Sequence, residues 1–128
     1  MSVLTDLATL LTSVGAPVVP GRRPAAPDRV VSLQTYPGDP NRILDANNLP
    51  ADERLAVQVT ARAERGNQAA AEALAEAAFR AVSRRHVVLN GRAYDWIRAN
   101  HYPAYVGVDE NDRPMVVVNV TARRRGSH

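Results

Sequence analysis

The sequence predicts an α+β fold: a mainly antiparallel, mixed β-sheet with two α-helices packed on one face. Three observations predict it. Two segments carry helical signals, residues 2–14 by apolar spacing and residues 67–85 by alanine content. The segments around them are rich in β-branched residues, with clear alternation over 53–63. The elements run helix, strands, helix, strands, an order that suits helices laid on a sheet.

Each element has its own warrant. In 2–14, Val3, Leu4, Leu7, Leu10, Leu11 and Val14 recur at spacings of three and four, giving one apolar stripe. Ser2 is placed to cap it, and Gly15 and Pro17 to end it. Val18-Val19 is a short strand that the flanking prolines confine to an edge. Residues 28–36 read as a strand, and Pro37-Gly38-Asp39-Pro40 as a turn.

Residues 37–52 form a long polar connection holding Ile43, Leu44 and Leu49. Loops of that length in a compact domain are mostly functional or disordered. Large aliphatic residues point to a loop or arm that packs against something, either a second chain or its own core.

Over 53–63, Val57, Val59 and Ala61 point one way and Gln58, Thr60 and Arg62 the other. Alanine dominates 67–85 and is the best helix former. Its expected inner face is Ala70, Ala73, Leu74, Ala77, Ala81 and Val82. Glu72, Glu76, Arg80 and Arg84 make a charged stripe on the solvated side. Val87–Leu89 leads into Asn90-Gly91, a hairpin turn signal, and then into a strand over 94–102. Val106–Val108 approaches the polar turn 109–113, and 114–122 is the final strand. A basic tail, 123–128, closes the chain.

Composition narrows the function. A chain of 128 residues suits one domain. Such a chain buries roughly two-thirds of its unfolded surface, so it needs no disulfide or metal staple. Cysteine is absent, which removes thiol catalysis and cysteine-based zinc sites. No stretch approaches the roughly 18–20 apolar residues of a membrane span, and Asp6 interrupts any leader-like N-terminus, so a soluble protein is expected. The net charge of +3 is small, and all 16 basic residues are arginine. That bias fits a GC-rich coding sequence better than selection for forked contacts.

Searches for chemistry return little. His86, His101 and His128 lack metal-ligand spacing, and no cofactor is implied. Asp109, Glu110 and Asp112 lack the alternation and central glycine of a calcium loop. Phosphate-loop and nucleophile-elbow patterns are missing, so no enzyme is expected. Arg22-Arg23, Arg84-Arg85 and Arg123-Arg124-Arg125 are basic clusters able to neutralise phosphates. No recognition helix or aromatic-rich motif accompanies them, so at most non-specific DNA contact is expected. Trp96 reads as a core or interface residue.

The order of motifs carries a resemblance. Helix 2–14, the turn Gly21-Arg22-Arg23-Pro24 and strand 28–36 open the chain. The run Val57-Gln58-Val59-Thr60-Ala61-Arg62 precedes the alanine-rich helix. Pro103-Ala104-Tyr105-Val106-Gly107-Val108-Asp109-Glu110-Asn111-Asp112-Arg113 precedes an apolar strand containing Asn119. Together these resemble the tail terminator and minor capsid family of long-tailed bacteriophages. Asp112 stands where that family commonly has Gly, and Val108 where it has a polar residue.

The resemblance implies a virion protein at the tail–head junction, assembled in the host cytoplasm. It implies a homo-oligomeric ring, typically hexameric, on the head-proximal end of the tail tube. The ring stops tube polymerisation and presents a joining surface to the head connector. Its partners would be the tail tube protein and a head-completion protein, with no membrane. The expected contact residues are Arg22, Arg23, Ile43, Leu44, Leu49, Arg62, Asp109, Glu110 and Arg113. For Arg62 and Arg113, solvated sheet-edge arginines are an equal reading. Arg84, Arg85, Arg123, Arg124 and Arg125 are expected to contact the tail or to line a lumen that DNA crosses. The competing readings are a head-side neck protein and a small basic DNA-binding protein.

Overall fold

The structure, a computed structural model, describes residues 3–35 and 52–125, apart from the side chains of 52, 53 and 125. Helix α1 spans Val3–Leu10, four residues short of the expected end. The threonines explain the shortening. Thr9 and Thr12 turn their hydroxyls back onto the carbonyls of Thr5 and Thr9, which weakens the regular ladder. The chain tightens into i→i+3 bonds, Leu11 N–H to Ala8 and Val14 N–H to Leu11. The apolar stripe survives, because Leu11 and Val14 stay buried.

Strands β1 (Val18–Pro20), β2 (Val30–Thr35) and β3 (Asp52–Arg62) follow. Helix α2 spans Gln68–Val82, capped by Asn67, whose side chain accepts from Ala70 N–H at 3.1 Å. Strands β4 (Arg84–Leu89), β5 (Arg92–Ala99), β6 (Ala104–Val108) and β7 (Pro114–Arg125) complete the chain. The sheet order is β1-β2-β3-β7-β5-β4, and β6 also pairs with β7. Only the β1–β2 pair is parallel, so the sheet is mixed and mainly antiparallel, as expected. The expected connection 37–52, with Ile43, Leu44 and Leu49, lies outside the described residues except for Asp52, which opens β3.

Three expectations change. Helix α2 ends at Val82, and Arg84-Arg85 belong to β4 rather than to the helix. Its buried residues are Ala71, Leu74, Ala75, Ala78 and Val82, a stripe turned by one residue from the expected one. With alanine on every side, composition alone does not mark the inner face. Residues 123–125 continue β7 instead of forming a tail.

The core is one cluster. Val57, Val59, Ala61, Val116, Val118, Val120 and Ala122 alternate along β3 and β7 and meet residues of both helices there. Such burial contributes about 25 cal/mol per Å² of apolar surface, so the long β3–β7 pair anchors the fold. One acid lies inside it. Asp6 is fully buried, accepts from Tyr94 Oη–H and from Asn90 Nδ2 at 2.8 Å, and lies 3.1 Å from Arg92 Nε. Asn90 (φ +51) and Gly91 (φ +81) form the expected primed hairpin turn. The turn thus presents Asn90 to α1 and ties the helix to the β4–β5 hairpin.

Candidate functional site

Two polar sites and one apolar surface stand out. The first polar site joins the two motifs that carry the resemblance. Arg62 ends β3, and Asp109 and Arg113 bracket the turn between β6 and β7. The turn is built on the Asp109 carboxylate. Its Oδ1 accepts from the backbone N–H groups of Asn111 (2.9 Å) and Arg113 (3.0 Å). Its Oδ2 accepts from Arg113 Nε at 2.8 Å and lies 3.9 Å from Arg62 Nη1. Asp112, at φ +59, occupies a left-handed position that glycine adopts without steric cost.

Both guanidinium groups reach past Asp109 to the segment 21–29. Arg113 Nη1 donates to Ala25 C=O at 2.6 Å and lies 3.3 Å from Asp28 Oδ1. Arg62 donates through Nε to Asp28 C=O (3.0 Å) and through Nη2 to Pro27 C=O (2.7 Å). These carbonyls belong to a strandless stretch, so side-chain donors take the place of a ladder. Arg62 and Arg113 are 2% and 4% exposed. The solvated sheet-edge reading is therefore corrected: both are buried clamps.

Burial, and then the charge of Arg113, lower the Arg62 guanidinium below its usual value. Burial alone would raise the Asp109 carboxyl. The backbone N–H groups and Arg113 outweigh it and hold the carboxyl below its usual value. Arg29 and Glu64 brace the same segment from outside, with paired bonds of 2.7 and 2.5 Å.

Arg22, Arg23 and Glu110 line a cleft of about 710 Å³ together with Arg62, Asp109 and Arg113. Six of the nine expected contact residues thus share one place. Arg22 and Glu110 form its exposed rim. Ile43, Leu44 and Leu49 lie outside the described residues.

The second polar site is a groove of about 790 Å³ between β4, β5 and β7, which includes Arg84, Arg85 and Arg123. Strand alternation splits Arg123 from Arg124. Arg85 and Arg123 pair across β5 with Trp96, whereas Arg124 pairs with Tyr94 and hydrogen-bonds it on the other side of the sheet. Arg125 ends β7.

The apolar surface was not foreseen. Strand β6 is exposed on both faces, yet carries Tyr105 (48% exposed), Val106 (54%) and Val108 (49%). Tyr102 precedes it, 80% exposed and stacked on Phe79 at 5.2 Å. The run Tyr105-Val106-Gly107-Val108 lacks alternation, which is the signal that could have found it. Among the described residues no group of three or more acids and histidines could hold a metal ion. No described helix is long and apolar enough to cross a membrane.

A family described as bacteriophage tail terminator protein matches residues 6–125. No curated protein matches. A solved structure described as the virion of a native gene transfer agent (GTA) particle is similar, with a TM-score of 0.65 at 20% identity. That match covers 94% of this chain and 84% of the other. At that identity the likeness shows the fold alone. The matched span includes Arg62, Asp109 and Arg113. The chain belongs to the bacteriophage tail terminator protein family, whose members are phage structural proteins rather than enzymes, and it is a tail component of a virion.

Proposed function

We propose that the protein caps the head-proximal end of the tail tube as a homo-oligomeric, hexameric ring, stops tube growth, and offers the head its joining surface. The observation that carries this reading is β6, a strand whose both faces are exposed and apolar. Exposed apolar edge strands are sites where another chain pairs or packs. A ring closed by head-to-tail contacts needs two different patches on each subunit. In this reading β6 is one patch, and the rim of the clamped cleft, Arg22, Arg23 and Glu110, belongs to the other. Arg62, Asp109 and Arg113 act behind the rim, fixing its shape.

The chain works as one domain and by surface complementarity, without catalysis or cofactor. Both helices cover one face of the sheet, a view supported by their shared core cluster. One ring face fits the last tube ring, and the other no longer resembles a tube subunit, so growth stops. The head-completion protein then docks on it, after assembly in the host cytoplasm.

Tube protein polymerised in vitro with and without this chain tests the reading. Capped tubes shorten as the chain is added, and a Tyr105→Asp, Val106→Asp variant loses the effect. Tube lengths indifferent to the chain would overturn it. A head-side neck protein would instead bind connectors and leave tube growth unchanged.

A further inference from the structure

The groove between β4, β5 and β7 is built by two local irregularities. The β5–β7 ladder slips between Tyr94 and Trp96. Tyr94 and Ile97 are an odd number of residues apart, yet both are buried. The extra residue of the bulge reconciles them and sets Trp96 and Arg98 on the opposite side. At the same level His86 has φ +51, and the β4–β5 register passes from Arg85–Trp96 to Val87–Tyr94 without pairing it. A left-handed non-glycine residue costs conformational energy and tends to mark sites of function.

Register then lines up one side chain from each of four strands: Arg85, Trp96, Arg123 and Arg54. With about 4.8 Å between strands, the row is about 14 Å long. Arg98 lies one step along β5 on the same side, its guanidinium 4.5 Å from the Trp96 ring centroid. Stacking holds that planar fork in place and leaves its N–H edge to face outward. The groove has one acid, Asp95, 3.8 Å from Arg123. Further along this side of the sheet come Thr121, then Gln34, Gln58 and Asn119 in one row.

We propose that this face binds the phosphate backbone of duplex DNA without reading bases. Four arginines against one acid supply the charge complementarity. The groove is basic, and with Ile97 buried its apolar part is the Trp96 ring and the stems of the arginines around it. That composition suits a nucleic-acid interface. A protein partner would want an apolar centre; among the described residues the exposed large hydrophobics are Tyr102, Tyr105, Val106 and Val108 in and before β6 and Val88 on β4, and none of them lines the groove. Neither described helix contributes a residue to the groove, so contacts stop at the backbone. The proposal stands apart from the capping reading, and either can fail alone.

Trp96 is the chain's only tryptophan and reports from inside the site. The test titrates the full chain with a mixed-sequence 30-base-pair duplex, following Trp96 emission and DNA anisotropy across a salt series. Binding at low salt with a Trp96 signal is expected. The variant Arg85→Gln, Arg98→Gln, Arg123→Gln loses on the order of tenfold or more in affinity, and its salt slope falls by about one per arginine. Arg65→Gln, an exposed arginine away from the groove, leaves both unchanged. If the triple variant fails to fold, Arg98→Gln alone carries the test, because that side chain is exposed. Absent binding at low salt, a silent Trp96, or a wild-type slope in the variant overturns the proposal. So does poly-glutamate binding at this face that duplex DNA cannot displace, which would assign the face to an acidic protein.

Discussion

Arg62 and Arg113, 51 positions apart in sequence, close on the same carboxylate: Asp109 Oδ2 lies 2.8 Å from Arg113 Nε and 3.9 Å from Arg62 Nη1. Two cations that would repel each other are held together by Asp109 and by the carbonyls of Ala25, Pro27 and Asp28. Removing one donor leaves buried acceptors unpaired, and breaking such a pair costs about 3–5 kcal/mol. Arg113→Ala is expected to lower Tm steeply in a thermal melt. It should also open the 21–29 segment to limited proteolysis, while Arg65→Ala, exposed and 3.7 Å from Asp112, does neither.

Asp112 tests the turn itself. A left-handed conformation costs an ordinary L-residue about 1–2 kcal/mol, and glycine almost nothing. At φ +59, Asp112→Val is expected to destabilise by about that amount, and Asp112→Gly to hold or slightly raise Tm. Equal melts for the two variants would contradict the left-handed assignment.

Tyr94 gives a pH signature. Burial, and then its hydrogen bond to Asp6, push the phenol up to about 12. A tyrosine whose folded value lies above its unfolded value of about 10 adds stability that is complete below pH 10. That stability drains away as pH rises toward 12. Urea melts between pH 9 and 12 should show this loss, and Tyr94→Phe should flatten it. A difference titration at 295 nm between the two proteins should yield one phenol ionising near 12.

Glu64 gives the acid-side counterpart. Hydrogen bonds from Arg29, its own backbone and Asn67 hold its carboxyl down at about 2. Its contribution is present above the ordinary carboxylate range and is lost as pH falls toward 2. Carbon-13 NMR of the side chain should show an ionised Glu64 at pH 3, and Arg29→Gln should raise its midpoint.

The cap of α2 is a local test. Asn67→Ala removes the acceptor for Ala70 N–H and is expected to cost about 1 kcal/mol.

The long elements were legible because their signals are local. The Val57–Ala61 alternation, the Asn90-Gly91 turn and the α1 stripe each fix one element within a few residues. The inner face of α2 was not, because alanine surrounds it and offers no contrast. The clamp was half legible. The motifs named Arg62, Asp109 and Arg113, but their meeting depends on β3 and β7 pairing across more than 50 residues. Arg123-Arg124 looked like a cluster, yet alternation sends the two to opposite sides, whereas Arg84 and Arg85 both line the groove, and the row draws one residue from each of four strands. Arg54 and Arg98 joined that row only through register and the β5 bulge, which no local pattern announces. Asp6 sat in an apolar stripe as the one visible oddity, and its partners Asn90 and Tyr94 lie more than 80 residues away.

Capping is tested most directly by electron micrographs of tails made in a host carrying the phage genome without this gene. The account expects tubes that overrun the normal length and vary from particle to particle, restored to one length by the wild-type chain but not by Tyr105→Asp, Val106→Asp. Detached tails of uniform, normal length would contradict it.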